Sequence, residues 1–386
     1  MRLSTVWLKD YRSYDQLEVQ LDPGFTAVLG PNGVGKTNLL EALALLATLK
    51  SFRGTPTERL VRKGADRAVI RAVGERDGRE VLIELELAKG RTRAQVNRQR
   101  LQRTRDLLGA LQVTVFAPDD LSLVKEGPAV RRDFLDELLV ALDPRADLVL
   151  RDLDRILKQR NALLRQGQRA GGVAKLDEAA ELTLDVWDAK LAAAGEHLTV
   201  RRENLLAELM PLATDGYRTL SDTEVEVVAR YQRSWATDHL AEAVAAARVD
   251  DVRRAATTVG PHRDEVSLEV DGFDSRTECS QGEQRTLALA LRLAGHRLVT
   301  ERLGEPPLLL LDDVLSELDP DRAHALLSTL PPGQTVITSA SGLPPATEPD
   351  QVVHHRGDHL EAVSTDAEPG AVHPEPGAVE EAGDGA

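Results

Sequence analysis

The sequence predicts an α/β fold in which a mixed β-sheet carries a phosphate-binding loop and a helical lobe interrupts the sheet domain. Three observations predict it. A glycine-rich loop at residues 30–37 stands between a strand pattern and a helix pattern. The hydrophobic period lengthens after Ala117-Pro118-Asp119. Strand texture then returns at Val266, and a later apolar run ends in Asp312-Asp313.

Taken in order, Leu3, Thr5 and Trp7 alternate as a strand does, followed by Leu17, Val19 and Leu21, then by the apolar run from Phe25 to Leu29. Residues 38–49 read as a buried helix of Leu and Ala. Two more strands follow at residues 69–73 and 81–87, the second with Ile83, Leu85 and Leu87 on one face and Glu84 and Glu86 on the other. Beyond Asp119, Leu150, Leu153, Leu157 and Leu164 share one helix face. Leu184, Trp187, Leu191, Ala194, Leu198 and Leu205 share another, with Gly171-Gly172 between the two helices. These are either an antiparallel pair with arms of roughly 20 to 30 residues, about 30 to 45 Å long, or two amphipathic helices of a compact bundle. Residues 266–270, 307–311 and 335–338 resume as strands, the last two apolar enough to be buried on both faces. The expected division is a sheet domain at 1–126, a helical lobe at 127–254, the second part of the sheet domain at 255–362 and a disordered tail at 363–386.

Chemistry concentrates in four places. Gly30-Pro31-Asn32-Gly33-Val34-Gly35-Lys36-Thr37 matches the phosphate-loop pattern G-x-x-x-x-G-K-[ST] in full. Its glycines let backbone N–H groups turn toward phosphate oxygens, and the helix N-terminus adds partial positive charge. Lys36 suits the β- and γ-phosphates of ATP, and the Thr37 hydroxyl suits Mg²⁺. Asp312 and Asp313, at the end of an apolar strand, suit a metal shell and an attacking water; an acidic strand end standing alone is a solvated turn or a helix cap. Ser280-Gln281-Gly282-Glu283-Gln284 opens a helix, as a second phosphate surface or as a capping box in which Ser280 and Glu283 satisfy each other. Ser316-Glu317-Leu318-Asp319 is the fourth piece.

This order of motifs resembles the ABC-type ATPase head of SMC-like DNA repair proteins, and more closely the RecF family of bacterial recombination mediators. The resemblance rests on GPNGVGKTNLLEA from Gly30, SFR from Ser51, FAPDDL from Phe116, RRDFLD from Arg131, GPHRDE from Gly260, SQGEQR from Ser280 and LLLDDVLSELD from Leu309. It covers residues 1 to about 340. It implies ATP-dependent homodimers, each nucleotide lying between the Gly30 loop of one subunit and the Ser280 signature of the other, with slow, DNA-stimulated hydrolysis. Lys36, Thr37 and Asp312 then hold phosphate and Mg²⁺, and Asp313 activates water. Gly30, Asn32, Gly33, Gly35 and Asn38 line the nucleotide, with Arg12 beside it in a Tyr-Arg-Ser variant of the family's Phe-Arg-Asn. Ser280, Gly282 and Gln284 belong to the signature, and Asp319 to the interface loop. GPHRDE is expected near the interface or the nucleotide. No histidine follows the 335–338 strand, so sensing of the γ-phosphate falls by default to Thr338 or Ser339. The partners implied are DNA, as duplex or junction, and the mediators RecR and RecO, in a cytoplasmic, nucleoid-associated setting.

Composition narrows the alternatives. One cysteine, Cys279, rules out an intrachain disulfide and a thiolate metal cage. No apolar run approaches the roughly 20 residues of a membrane helix, so no membrane partner is expected. The formal charge is −15, yet residues 91–105 carry Arg91, Arg93, Arg98, Arg100, Arg103 and Arg105 with no acid. That cluster is either a phosphate-contacting surface or a solvated hairpin guarding a sheet edge. With aromatic residues at 3%, stacking platforms for bare single strands are scarce. A long tethering ATPase needs hundreds of coiled-coil residues between Lys36 and Ser280, which are about 240 apart. A transporter ATPase has no place for the helical insertion, and a small-molecule kinase leaves the Ser280 motif without a purpose.

Overall fold

The computed structural model describes residues 1–169, 177–345, 347–356 and 359–364. In chain order it contains β1 (Arg2–Tyr11), β2 (Tyr14–Gln20), β3 (Phe25–Leu29), α1 (Lys36–Thr48), β4 (Arg67–Arg76), β5 (Arg79–Ala88), β6 (Arg91–Val96), β7 (Gln99–Arg100), β8 (Val113–Phe116), α2 (Ser122–Lys125), α3 (Pro128–Leu142), α4 (Ala146–Arg169) and α5 (Glu178–Ser221). After these come β9 (Val227–Gln232), α6 (Leu240–Arg254), β10 (Glu265–Val270), β11 (Phe273–Asp274), α7 (Gln281–Leu303), β12 (Leu308–Asp312), α8 (Pro320–Ser328), β13 (Thr335–Ser339), β14 (Gln351–Arg356) and β15 (His359–Ser364).

Period-two patterning builds an antiparallel sheet in the order β2-β1-β4-β5-β6-β7. Val6, Leu8, Ile70, Ile83 and Leu85 lie on its buried face. A second sheet, β15-β14-β3-β13-β12-β8, is parallel from β14 to β8, with β15 antiparallel at its edge. Helix α1 shares one core with both sheets, which is why its Leu and Ala residues are buried all round. Along β12, Leu308 and Leu310 belong to that core, while Leu309 and Leu311 belong to the core formed with the helical lobe. A strand covered on both faces has no polar side to present, hence its continuous leucine run.

The helical lobe departs from expectation in two respects. Helix α4 has 24 residues, but α5 has 44, about 65 Å of continuous helix. Leu209, Ala213, Tyr217 and Leu220 extend its buried face past Leu205, and α5 packs on α7 with Gly216 against Ala290. The lobe also contributes a strand: β9 pairs with β10 in a small sheet ordered β11-β10-β9. Its cue, Val227-Val228-Ala229 followed by Tyr231 between Arg230 and Gln232, is too short to stand out beside long helices. Gly171-Gly172 falls outside the described residues. At the C-terminus β15 runs to Ser364, two residues past the expected edge of the tail, and the rest of that tail lies outside the described residues.

Buried polar groups tie the lobe together. Arg160 is fully buried and donates to Asp188 of α5 at 2.7 Å, to Asp251 of α6 at 2.6 Å and to Thr257 at 2.9 Å. The 260–265 stretch forms a second knot. Gly260 takes φ +120, and Asp264 accepts hydrogen bonds from Tyr231 at 2.7 Å, Ser234 N–H at 2.8 Å and Thr199 at 3.3 Å. Arg202 forks onto Asp136 and donates to the Pro261 carbonyl. Burial holds His262 down to about 4. The Pro261 carbonyl and the Asp264 carboxylate are thus engaged inside the lobe, whereas Arg263 stays exposed. No helix among the described residues is long and apolar enough to cross a membrane.

Arg160→Leu strands the fully buried carboxylate of Asp251 and is expected to destabilise the protein by about 3–5 kcal/mol in urea unfolding. A loss below 1 kcal/mol contradicts the pinning role of this network.

Candidate active site

Parallel pairing brings the C-terminal ends of β3, β13 and β12 to one edge of the second sheet, where ligands bind in open α/β sheets. The loop leaving β3 turns through Gly33 at φ +83 and Gly35 at φ +117, conformations that suit glycine, and delivers the chain to α1. A Cβ on Gly30 would come within 2.7 Å of the His355 carbonyl. No side chain caps α1 and no acid stands in its first turn, leaving its positive end open to an anion. The buried Lys36 ammonium donates to the carbonyls of Gly30 at 2.7 Å and Pro31 at 2.9 Å. Burial lowers its pKa against the pull of Asp313 and Asp312.

Across the edge, the Thr37 hydroxyl donates to Asp312 Oδ1 at 2.8 Å, joining residues 275 positions apart. Thr338 donates to the same oxygen at 2.8 Å, and its Oγ1 also accepts the Asp313 N–H at 3.0 Å. Burial raises the Asp312 pKa, and the two threonine hydrogen bonds oppose that rise. Asp313 sits in the left-handed region at φ +48, where a non-glycine residue is strained, and its buried Oδ1 has no hydrogen-bond partner. These features fit Mg²⁺ and ATP: Mg²⁺ takes one or two carboxylates and keeps waters, and an orphaned carboxylate oxygen beside them is ready to accept a hydrogen bond. Thr338 and Ser339 are fully buried, and Ser339 donates to the Gly342 carbonyl at 2.7 Å. Thr338 therefore aligns the two aspartates, while Ser339 is turned to the Gly342 carbonyl.

Behind the loop, Arg12 forks onto Glu41 of α1 with two hydrogen bonds of 2.7 Å and donates a third of 2.7 Å to Thr55. Glu41 is completely buried and also accepts from Tyr11 at 3.3 Å and Ser51 at 2.5 Å. Burial pushes its pKa up, but Arg12 and Ser51 hold it below the usual carboxylate range. Asn38 donates to Ser13 at 2.9 Å, and Asn32 is exposed on the loop. The Tyr14 hydroxyl donates to the Gly35 carbonyl at 2.8 Å and lies 2.8 Å from His355 Nε2. Glu41, Tyr14 and His355 are the supporting residues that the sequence reading missed. An acid inside the apolar run of α1 was the one available signal.

The Ser280 motif gathers elsewhere. Ser280 caps α7, accepting the Glu283 N–H at 3.3 Å while Glu283 accepts the Ser280 N–H at 2.7 Å, so the capping box is real. A Cβ on Gly282 would lie 2.8 Å from an Arg322 nitrogen, and Arg322 donates to Asp319 at 2.8 Å. Gly282 and Asp319 are thus joined through one guanidinium. Gln284 is only 4% exposed and donates to the carbonyls of Ser275 and Arg276, so it braces the turn. Among the described residues no hydrogen bond or ion pair links this group to the Lys36 group. The arginines of residues 91–105 occupy the β6–β7 hairpin and the turn after it, at the outer edge of the first sheet.

Residues 2–340 match the family described as RecF/RecN/SMC N terminal domain. The chain is 43% identical over 353 residues to a DNA replication and repair protein RecF of Streptomyces avermitilis, covering 88% of this chain and 94% of that relative. It is 44% identical over 360 residues to the protein of the same name from Frankia alni, covering 88% and 93%. A solved structure described as the recombination mediator protein RecF-ATP in the RecFOR pathway superposes with a TM-score of 0.84 at 29% identity, over 94% of this chain and 98% of that one. An Smc head domain with coiled coil and joint from Pyrococcus yayanosii gives 0.53 at 16% identity over 94% and 97%, a likeness of fold alone.

Asp312→Asn removes a charge that burial disfavours while keeping an oxygen for Thr37 and Thr338. Its melting temperature is expected to exceed the parent's at pH 7. The gap should shrink as pH falls and the parent carboxylate, whose folded pKa is raised, takes its proton. A lower melting temperature at pH 7 contradicts this reading.

Proposed function

The chain belongs to the RecF family, and from that premise we propose that it is an ATP-dependent DNA-binding protein of recombinational repair and replication. In this reading it dimerises on ATP at gapped or stalled DNA and assists recombinase loading together with RecR and RecO. The observation that carries the proposal is the 2.8 Å hydrogen bond from Thr37 to Asp312, with the unpartnered oxygen of Asp313 in the adjoining residue. It unites the two halves of an ATP-hydrolysing site.

The backbone of the Gly30 loop and the N-terminus of α1 bind the phosphates, and Lys36 balances their charge. Thr37 and Asp312 would hold Mg²⁺, which when bound would offset phosphate charge. Thr338 keeps Asp312 in place and fixes the backbone of Asp313. The free oxygen of Asp313 orients the attacking water and takes a share of its proton. Ser280, Gly282 and Asp319 form a separate cluster, as residues that serve a second copy's nucleotide would. DNA is held mainly through its phosphates, with duplex or a duplex-containing junction preferred, given the six arginines of residues 91–105 and few aromatics.

Asp313→Asn is expected to bind Mg²⁺-ATP normally and to hydrolyse it about 100-fold more slowly or worse, so that the ATP-bound dimer accumulates. Normal turnover in a single-turnover assay reassigns the two aspartates. Ser280→Arg is expected to bind ATP as a monomer. A residue that only caps α7 costs about 1 kcal/mol of stability and leaves dimerisation intact, so a normal dimer in sedimentation with ATP rejects the signature role.

A further inference from the structure

Many arginines in this chain face a carboxylate, among them Arg12, Arg62, Arg160, Arg202 and Arg292. The β6–β7 hairpin is different. Arg91, Arg98, Arg100 and Arg103 are exposed, and none of them makes an ion pair among the described residues. The nearby carboxylates are already engaged: Glu84 by Arg71, Glu86 by Arg67 and Arg93, and Asp106 by the Arg103 N–H. Two turn residues, Asn97 at φ +50 and Arg98 at φ +64, bend the hairpin, and β7 is the last strand of its sheet. The result is an uncompensated cationic edge.

A complementary segment lies in the same chain. Residues 365–386 hold Asp366, Glu368, Glu375, Glu380, Glu381 and Asp384 with no Lys or Arg. The described chain reaches Ser364 at the end of β15, and β15 packs against β2, the opposite edge of the same sheet. From β2 to β7 there are five strand spacings, about 24 Å. The roughly 22 residues beyond Ser364 can span about 70 Å when extended. The reach is sufficient.

We propose that the arginine edge of β6 and β7 is a docking surface for the chain's own acidic C-terminal segment, which competes there with the phosphates of DNA. Each exposed carboxylate–guanidinium contact is weak, and salt screens it over about 10 Å at 0.1 M. Tethering supplies what the single contacts lack, since a covalent link of this length holds its ligand at an effective concentration on the order of millimolar. Occupancy is therefore high at low ionic strength and lost at high. The DNA reading proposed above enters only through the competitor; the docking itself does not depend on it.

The test compares the full chain with a full-length version in which the six acids are neutralised (Asp366→Asn, Glu368→Gln, Glu375→Gln, Glu380→Gln, Glu381→Gln, Asp384→Asn). Anisotropy on a duplex oligonucleotide is expected to show about two- to tenfold tighter binding by the neutralised form at about 50 mM salt, converging near 0.5 M. In a background of Arg91→Ala, Arg98→Ala, Arg100→Ala and Arg103→Ala the neutralisation is expected to change nothing. Equal affinities in the parent background, or a gain that survives the arginine substitutions, overturn the proposal. A second arm needs no DNA. A labelled peptide of residues 365–386 should bind the neutralised full-length protein saturably at low salt and should not bind it once the four arginines are replaced. Binding that ignores the arginines, or no binding at all, overturns the docking. If no form binds duplex, the DNA reading falls and the peptide arm alone decides this one.

Discussion

The parallel register of β3, β13 and β12 is the constraint on which the rest of the site depends. Thr338 stands opposite Val28 on one side and Asp312 on the other, so the central strand sets how the loop and the acidic edge face each other. Two strand spacings, about 10 Å, separate the outer strands. Only a short polar side chain on the middle strand can contact both carboxylate and backbone at the acidic end without filling the crevice. Thr338 meets that requirement with a single hydroxyl that donates to Asp312 and accepts from Asp313. The pairing also explains the leucines of β12: the strand that carries the acids must be covered on both faces to hold them at a fixed height.

Much of this was legible in the sequence wherever the chemistry is local. The phosphate loop, the acid pair and the two lobes each announce themselves within a dozen residues, and the family resemblance extends that reading along the chain. What stayed hidden depends on contacts between distant segments. Arg12 carried a motif, but its fork onto Glu41 joins a strand end to a helix 29 residues later. Tyr14 and His355 meet across 341 residues. Gln284 read as a nucleotide contact because its motif is; only the fold shows its amide turned inward. Past Leu205 the buried positions of α5 include Ala213 and Tyr217 and the helix contains Pro211, so the leucine pattern fades before the helix does.

The Ser280 motif shows that a local and a long-range explanation need not exclude each other. The capping box satisfies the first N–H groups of α7 within one chain, as any Ser-x-x-Glu helix start does. The same geometry holds Ser280 exposed at a helix start, while Gly282 leaves room for Arg322 and its partner Asp319. A side chain on residue 282 would push that guanidinium aside. Cap and surface are built by the same residues, so the stability of the helix start and the shape it presents cannot be tuned separately.

Helix α5 runs for 44 residues with Pro211 inside it, Gly216 seated against Ala290 of α7 near one end and α4 packed along it toward the other. The roughly 33 residues before Pro211, with α4 and α6 packed on them, form one arm that turns with the α7 contact. A tilt of about 5° at the α7 contact sweeps the far end through about 5 Å over an arm of this length. Any re-seating of α7, whose first turn begins at Ser280, is therefore magnified at the distal end of the lobe into a displacement larger than one turn residue.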